Sequence, residues 1–363
     1  MTFDQPVFFV PNRVWRCYTG GKLLDRFVGT GAGADGHKPE DWLASTVRAM
    51  NDKHSQGPHE GLARVQNPDG KAGQMLTELL HRHGEELLGP RHVVRFGPNM
   101  ALLCKYLDSA VRLPIQCHPD AAIAKRLYNS NFGKAECWHI LDTRKIGGQE
   151  PYLLMGFKPN VTAKAFAEAV AKQTVLLMEE MLHKLHVRAG ETYMVPARLP
   201  HAIGPGVFML EVQEPSDWVI QPERFCADTR LTNADMWGPL TVEQGLGVFD
   251  YTGRSKPQLM EDVLMKETAL HEEPGGTVAE VIGPRRTEAF GVWTARIRGT
   301  MRVSLPRAFG VIVATGGAGT MSWQGGSRPI RRGQHFLQPF GVKWIEYSSD
   351  EGLSLVLCLP PKS

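Results

Sequence analysis

The sequence predicts an all-β protein built as two β-domains, β-sandwich or barrel, with a few covering α-helices. Short runs rich in β-branched and aromatic residues recur along it, as in Thr192–Val195, Val207–Val212, Gly310–Ala314 and Leu353–Leu357. Turn residues bound these runs at short intervals, with 38 glycines and 25 prolines in 363 residues, the pattern of antiparallel strands in a sandwich or barrel. There is also an internal echo. Gly190, Pro196 and His201 recur at the same offsets as Gly333, Pro339 and Trp344. In each copy the glycine allows a tight turn, a strand follows, and the proline sits at the next bend.

The echo predicts two related β-domains, set at residues 1–235 and 236–363. Only the first copy carries a histidine at the last offset, and the tryptophan of the second cannot ligate a metal. The chemistry is therefore expected in the first domain, with the second structural. Two segments have helical period instead. From Gln74 to Leu88, Met75, Leu76, Leu79, Leu80, Leu87 and Leu88 form an apolar stripe that Gly89-Pro90 ends. From Thr162 to Leu185, Phe166, Val170, Leu177, Met181 and Leu185 do the same. Both helices are expected to cover the sheet. Glycine-rich Gly29–Gly36 lacks a phosphate-loop lysine and is expected to be a surface loop.

With 41 Lys+Arg against 38 Asp+Glu, the net charge is +3. This gives no reason to expect nucleic acid or an anionic membrane as partner. Hydrophobic residues make up 42%, too many for a disordered tail. No apolar run approaches a bilayer span, and the first residues lack the basic and apolar regions of a secretory signal. The six cysteines form no C-x-x-C pair, so free thiols in a reducing cytoplasm are expected. Cys117 and Cys137 are expected to be core fillers.

The most informative run is Leu113-Pro114-Ile115-Gln116-Cys117-His118-Pro119-Asp120. On a strand, Gln116 and His118 share one face, so a carboxamide oxygen and an imidazole can bind one ion. Lys134 and Glu136 have the same spacing, and His201 follows a proline-braced turn at a strand end. Gln116, His118, Glu136 and His201 make an N₂O₂ set without thiolate, which suits catalytic zinc. His139 points away from Glu136 on a regular strand and is left out. His81, His83, His183 and His186 fall on the expected helices as surface residues.

These segments resemble class I mannose-6-phosphate isomerases of the cupin superfamily. "MALLCKYLDSAVRLPIQCHPD", "GKAECWHIL", "GETYMVPARLPHAI" and "LEVQEPSDWVI" follow in order and in register over most of residues 5 to 230. "VPNRVWRCYTGGKL" is a weaker match, because Cys17-Tyr18-Thr19 interrupts the family's Trp-Gly-Gly start. The resemblance implies a metal-binding cupin domain with helical insertions, followed by a degenerate second cupin without ligands. It also implies zinc on Gln116, His118, Glu136 and His201, an active-site lysine at Lys134 and an acidic residue at Glu211.

One departure matters. Where the family has an arginine ten positions after that glutamate, this chain has Gln221. An amide cannot replace a guanidinium at an oxyanion or phosphate. Either Arg224 swings in, or Arg198 supplies the charge, or both are solvated and the charge is missing. The function implied is a zinc-dependent aldose–ketose isomerase, converting mannose 6-phosphate to fructose 6-phosphate through an enediol. Glu211 would be the base, with Lys134 stabilising the alkoxide or positioning the sugar, and Asp217 is expected to cap a turn. Three alternatives stay open: an isomerase of another sugar or sugar phosphate, a silent sugar-binding cupin, and an iron dioxygenase. The partner is a small-molecule sugar or sugar phosphate. The sequence leaves oligomeric state open.

Overall fold

A computed structural model describes residues 3–51 and 54–362. An antiparallel six-stranded sheet forms the frame of the first half. Its order is Thr192–Val195, Glu136–Thr143, Val207–Gln213, Leu103–Asp108, Glu40–Leu43 and Arg13–Val14. A three-stranded sheet of His201–Ile203, Tyr152–Phe157 and Leu182–His186 completes the unit. Its core includes Trp138, Ile140, Met155, Phe157, Phe166 and Ile203.

Val207–Gln213 and Leu103–Asp108, in the middle of the sheet, are buried on both faces, and the first reads as a nearly continuous apolar run. The alternation is still there. Cys104, Tyr106, Cys137, Leu210 and Val212 pack into an apolar layer shared with Val292, Val311, Val356 and Cys358 of the C-terminal sheet. Their neighbours Lys105, Glu136, Trp138 and Glu211 must face the other way, toward the first unit's interior. All six cysteines are free thiols, and Cys117 and Cys137 are buried, as expected of fillers.

The second half is another antiparallel system. Its main path runs Val7–Phe8, His335–Gln338, Gly310–Trp323, Leu353–Leu359, Gly291–Ile297, Gly276–Ile282 and Thr268–Glu273. The 14-residue strand Gly310–Trp323 serves two layers. Its first half pairs with Leu353–Leu359, and its second half pairs with Gly326–Arg331 and Ile345–Ser348. The bend is at Gly316-Gly317. Gly317 has φ +70°, and a Cβ there would stand 1.8 Å from the Gly352 carbonyl, so only glycine fits.

The echo is visible in the backbone. Gly190 and Gly333 have φ of 89° and 86°, and each precedes a four-residue strand. His201 begins the next strand in one copy, and Trp344 immediately precedes it in the other. Helices Asn233–Trp237, Val242–Leu246 and Lys256–Val263 belong with the first unit. Met236, Trp237, Leu259 and Val263 join its core, and Met265 N donates to the Thr192 carbonyl on its edge strand. We propose that the units meet near residue 264 rather than 235, with Val7–Phe8 given to the second sheet.

The first expected helix forms at Leu76–Leu88, covering the shared apolar layer. The second, from Thr162 to Leu185, is shorter than its periodicity suggests. Thr162 caps Ala163–Lys172, Gln173 ends it in the left-handed region, and a short helix follows at Val175–Glu180. Leu182–His186 is then a strand paired with Tyr152–Phe157. Leu182 and Leu185, three apart, fit a helix stripe but stand on opposite faces of a strand, where both are buried. His183 and His186 therefore lie on a strand. His183 is buried, with Nε2 at 2.8 Å from the Arg254 carbonyl.

Candidate metal centre

The site lies inside the first unit, on the interior face of the six-stranded sheet. Gln116 and His201 exchange both backbone hydrogen bonds, at 2.7 and 2.9 Å, so they stand directly opposite each other with side chains on one face. Cys117 is bridged in the same way to Ile220. Behind His118, the Asp120 side chain accepts from Ile123 N at 2.8 Å and caps helix Ala121–Tyr128. The Pro-Asp after His118 thus turns strand into helix and holds the imidazole still.

His118, Glu136 and His201 converge. Their ligand atoms all lie within 4.8 Å of one another, and all three residues are buried. His118 Nδ1 faces the Trp218 carbonyl at 2.9 Å, and His201 Nδ1 faces the Leu199 carbonyl at 2.7 Å. A carbonyl only accepts, so each Nδ1 carries the hydrogen and each Nε2 presents a lone pair. His118 Nε2 is 3.0 Å from Glu136 Oε1, and His201 Nε2 is 3.9 Å from Glu136 Oε2. His201 Nε2 is buried without a hydrogen-bond partner.

The protonation states sharpen this picture. Burial, then the Lys134 charge, pushes His118 down to about 3. Burial likewise lowers His201. Burial works against the Glu136 charge, but the Lys134 ammonium leads the groups that outweigh it and hold the carboxyl well below its usual range. At neutral pH two neutral imidazoles therefore aim lone pairs at a carboxylate. Lone pairs 3.0 Å apart repel unless a cation stands between them. Lys134 Nζ, 3.2 Å from Glu136 Oε1 and 3.4 Å from His118 Nε2, balances part of this charge from one side. The donor set fits a divalent ion taking nitrogen and oxygen, and Gln116 on the same face can add a fourth atom.

One rung of the sheet carries the neighbouring chemistry. Tyr193, Trp138, Glu211, Lys105 and Trp42 are successive cross-strand partners. Glu211 Oε2 is 3.2 Å from Lys105 Nζ. Burial and the nearby Glu136 push the Glu211 carboxyl up to about 8 against the pull of Lys105. Trp138 Nε1 donates to Glu136 Oε2 at 3.1 Å, and Trp42 Nε1 donates to Glu40 Oε2 at 2.6 Å. Burial would raise Glu40, but Arg16 and Lys105 hold it at about 2.

A cleft of about 210 Å³ opens onto these groups, and Gln116, Lys134, Glu136 and Glu211 line it. Arg198 and Arg224 are not among the residues that line it. Arg198 has φ 71°, and its Nε donates to the Val248 carbonyl at 3.0 Å. Its role is in the backbone, where its N–H donates to the His118 carbonyl at 2.8 Å. Arg224 N donates to Gln173 Oε1, which ties the residue before strand Phe225–Cys226 to the end of a helix. Gln221 does line the cleft, and its amide donates to the Asp235 carbonyl at 2.9 Å. Asp217 is no simple turn cap. It lies 3.2 Å from the Arg16 guanidinium and accepts from Met50 N. His139 lies beside Thr192 Oγ1, off the cleft.

The sequence reading missed Lys105, Arg16 and Glu40. Two signals were available. Lys105 is a lone cation inside an apolar strand, and Glu40-Asp41-Trp42 repeats the Glu-x-Trp of Glu136-Cys137-Trp138.

No family model matches the chain. Curated relatives do. It is 27% identical over 344 residues to mannose-6-phosphate isomerase ManA of Bacillus subtilis, covering 93% of this chain and 94% of that one. It is 26% identical over 292 residues to mannose-6-phosphate isomerase of Streptococcus mutans, covering 80% and 82%. Among solved structures, mannose 6-phosphate isomerase from Bacillus subtilis superposes with TM-score 0.72 at 22% identity, over 97% of this chain and 99% of that one. A variant of phosphomannose isomerase from Salmonella typhimurium gives 0.71 at 14% identity, over 99% and 100%. Along nearly its whole length the chain is similar in sequence to mannose-6-phosphate isomerases, and it shares their cupin-type β-sandwich fold.

Proposed function

We propose that the chain is a zinc-dependent aldose–ketose isomerase that interconverts mannose 6-phosphate and fructose 6-phosphate. The observation that carries this reading is the buried pair of neutral imidazoles with both Nε2 lone pairs turned on Glu136. The names of the whole-length relatives support the substrate. Gln116, His118, Glu136 and His201 would hold the ion, which supplies Lewis acidity toward the sugar's carbonyl and adjacent hydroxyl oxygens.

The chain's own groups do the rest. In its ionised form Glu211, held 3.2 Å from Lys105, takes the proton from the carbon beside the carbonyl and returns it to the neighbouring carbon. The Lys134 ammonium orients a sugar oxygen and offsets charge that develops on it. Trp138 and Trp42 fix the carboxylates of Glu136 and Glu40 by indole hydrogen bonds. The apolar layer behind the sheet keeps bulk water from the back of the site.

A second reading, an isomerase of an unphosphorylated sugar, is favoured by Gln221, whose amide is turned to a backbone carbonyl. Turnover of mannose 6-phosphate against free mannose separates the two. Dialysis against a chelator is expected to remove activity, and Zn²⁺ to restore it. His118→Ala and Glu136→Gln should each lower bound metal well below one ion per chain. Full activity after verified metal removal would sink the proposal.

A further inference from the structure

Four cationic side chains line the cleft: Arg16, Lys105, Lys134 and Arg230. Three already face carboxylates. Arg16 lies 3.0 Å from Glu40 and 3.2 Å from Asp217. Lys105 lies 3.2 Å from Glu211, and Lys134 lies 3.2 Å from Glu136. Among the described residues, the Arg230 side chain has neither an ion-pair partner nor a hydrogen bond. It is exposed at the mouth of the same cleft.

Its backbone is nevertheless held. Thr229–Arg230 pairs with Phe225–Cys226. Thr229 Oγ1 donates to the Cys17 carbonyl at 3.2 Å, and Leu231 N donates to the Arg224 carbonyl at 2.9 Å. Leu231 is buried in the first core. A firmly seated hairpin therefore presents a guanidinium with unused donors. The cleft otherwise offers an anion little, because Gln221 is neutral and Glu40, Asp217 and Asp235 add negative charge.

A free, planar fork of N–H donors is the group that binds a phosphate through paired hydrogen bonds. We propose that Arg230 is the specificity-determining residue of this site, recognising the phosphate of a hexose 6-phosphate. It takes the place, from a different segment, of the charge that is missing at Gln221. This inference rests on the isomerase reading and deepens it.

The test compares wild type, Arg230→Ala and Arg230→Lys as zinc-loaded full-length proteins, on mannose 6-phosphate and on free mannose. Because the side chain is exposed, the variants are expected to fold, and circular dichroism checks this. Arg230→Ala should raise KM for mannose 6-phosphate by about 10- to 100-fold, with kcat changed by less than about 3-fold. Its kcat/KM on mannose should stay within about 2-fold of wild type, and Arg230→Lys should recover part of the phosphate preference. An unchanged KM for the phosphate, or equal losses on both sugars, overturns the assignment. If the wild type turns over neither sugar, the isomerase reading fails instead. Calorimetry with fructose 6-phosphate then decides the inference alone: affinity weakened about 10-fold or more in Arg230→Ala upholds it, and equal affinity overturns it.

Discussion

Each histidine of the triad uses one ring nitrogen on a backbone carbonyl and turns the other inward. The carbonyls belong to Trp218, far from His118 in the chain, and to Leu199, two positions before His201, so the tautomer is set by the fold. Glu211 is the residue whose role is most open to experiment. Glu211→Gln keeps the shape and removes the proton acceptor. It should lower kcat by about 10²- to 10⁴-fold while metal content by atomic absorption stays at the wild-type level. A loss of metal together with activity would instead make Glu211 part of the ion's support. The residues two apart in the chain were legible in the sequence, Gln116 with His118 and Lys134 with Glu136, although only Glu136 of the four lies in a regular strand. The pairs that cross strands were not. Arg16 meets Asp217 at a separation of 201 residues, and Lys105 meets Glu211 only because the register puts them opposite. No local pattern encodes that register. The same holds for Arg198, whose left-handed backbone, not its charge, is what the turn before His201 uses.

Among the elements, strands and caps position the site. The interior rung from Trp42 to Tyr193 works because five antiparallel strands keep one register, and the alternate residues fill the apolar layer behind. The short helix Ala121–Tyr128 matters more than its eight residues suggest, since Asp120 begins it two positions after His118. Asp120→Ala removes the acceptor for Ile123 N and should cost about 1 kcal/mol. The check is a urea midpoint that falls with an unchanged slope, and Asp120→Asn should restore most of it. A midpoint equal to wild type would mean that the cap does not hold the helix. Strand-rich runs and the Leu76–Leu88 helix were visible from composition and period. The strand at Leu182–His186 was not, because leucines three apart continue a helix stripe but stand on opposite faces of a strand. The deciding factor, an open edge on Tyr152–Phe157, lies some thirty residues away.

At the scale of the whole molecule, two related β-units share an apolar layer. The return of Val7–Phe8 to pair with Leu337 and Phe336, at the other end of the chain, left no local trace. His335 sits at this junction. Its ring stacks on Phe9 at 6.0 Å and meets Tyr106 of the first sheet edge-on at 6.5 Å. Burial among these rings pushes its pKa down to about 4, against about 6.5 in an unfolded chain. Between those values the unfolded chain binds a proton that the folded one refuses, so stability falls as pH drops from about 6.5 toward 4. By pH 5 the loss from this one group is about 2 kcal/mol. His335→Phe keeps a flat ring against Phe9 and removes the titration. Urea unfolding at pH 7.5 and pH 5 should show the variant losing about 1–2 kcal/mol less than wild type over that interval. The other buried histidines titrate alike in both proteins, so the difference isolates His335. Equal losses would mean that the ring takes up its proton in the folded state, and that the junction between the two units is open enough to hydrate it.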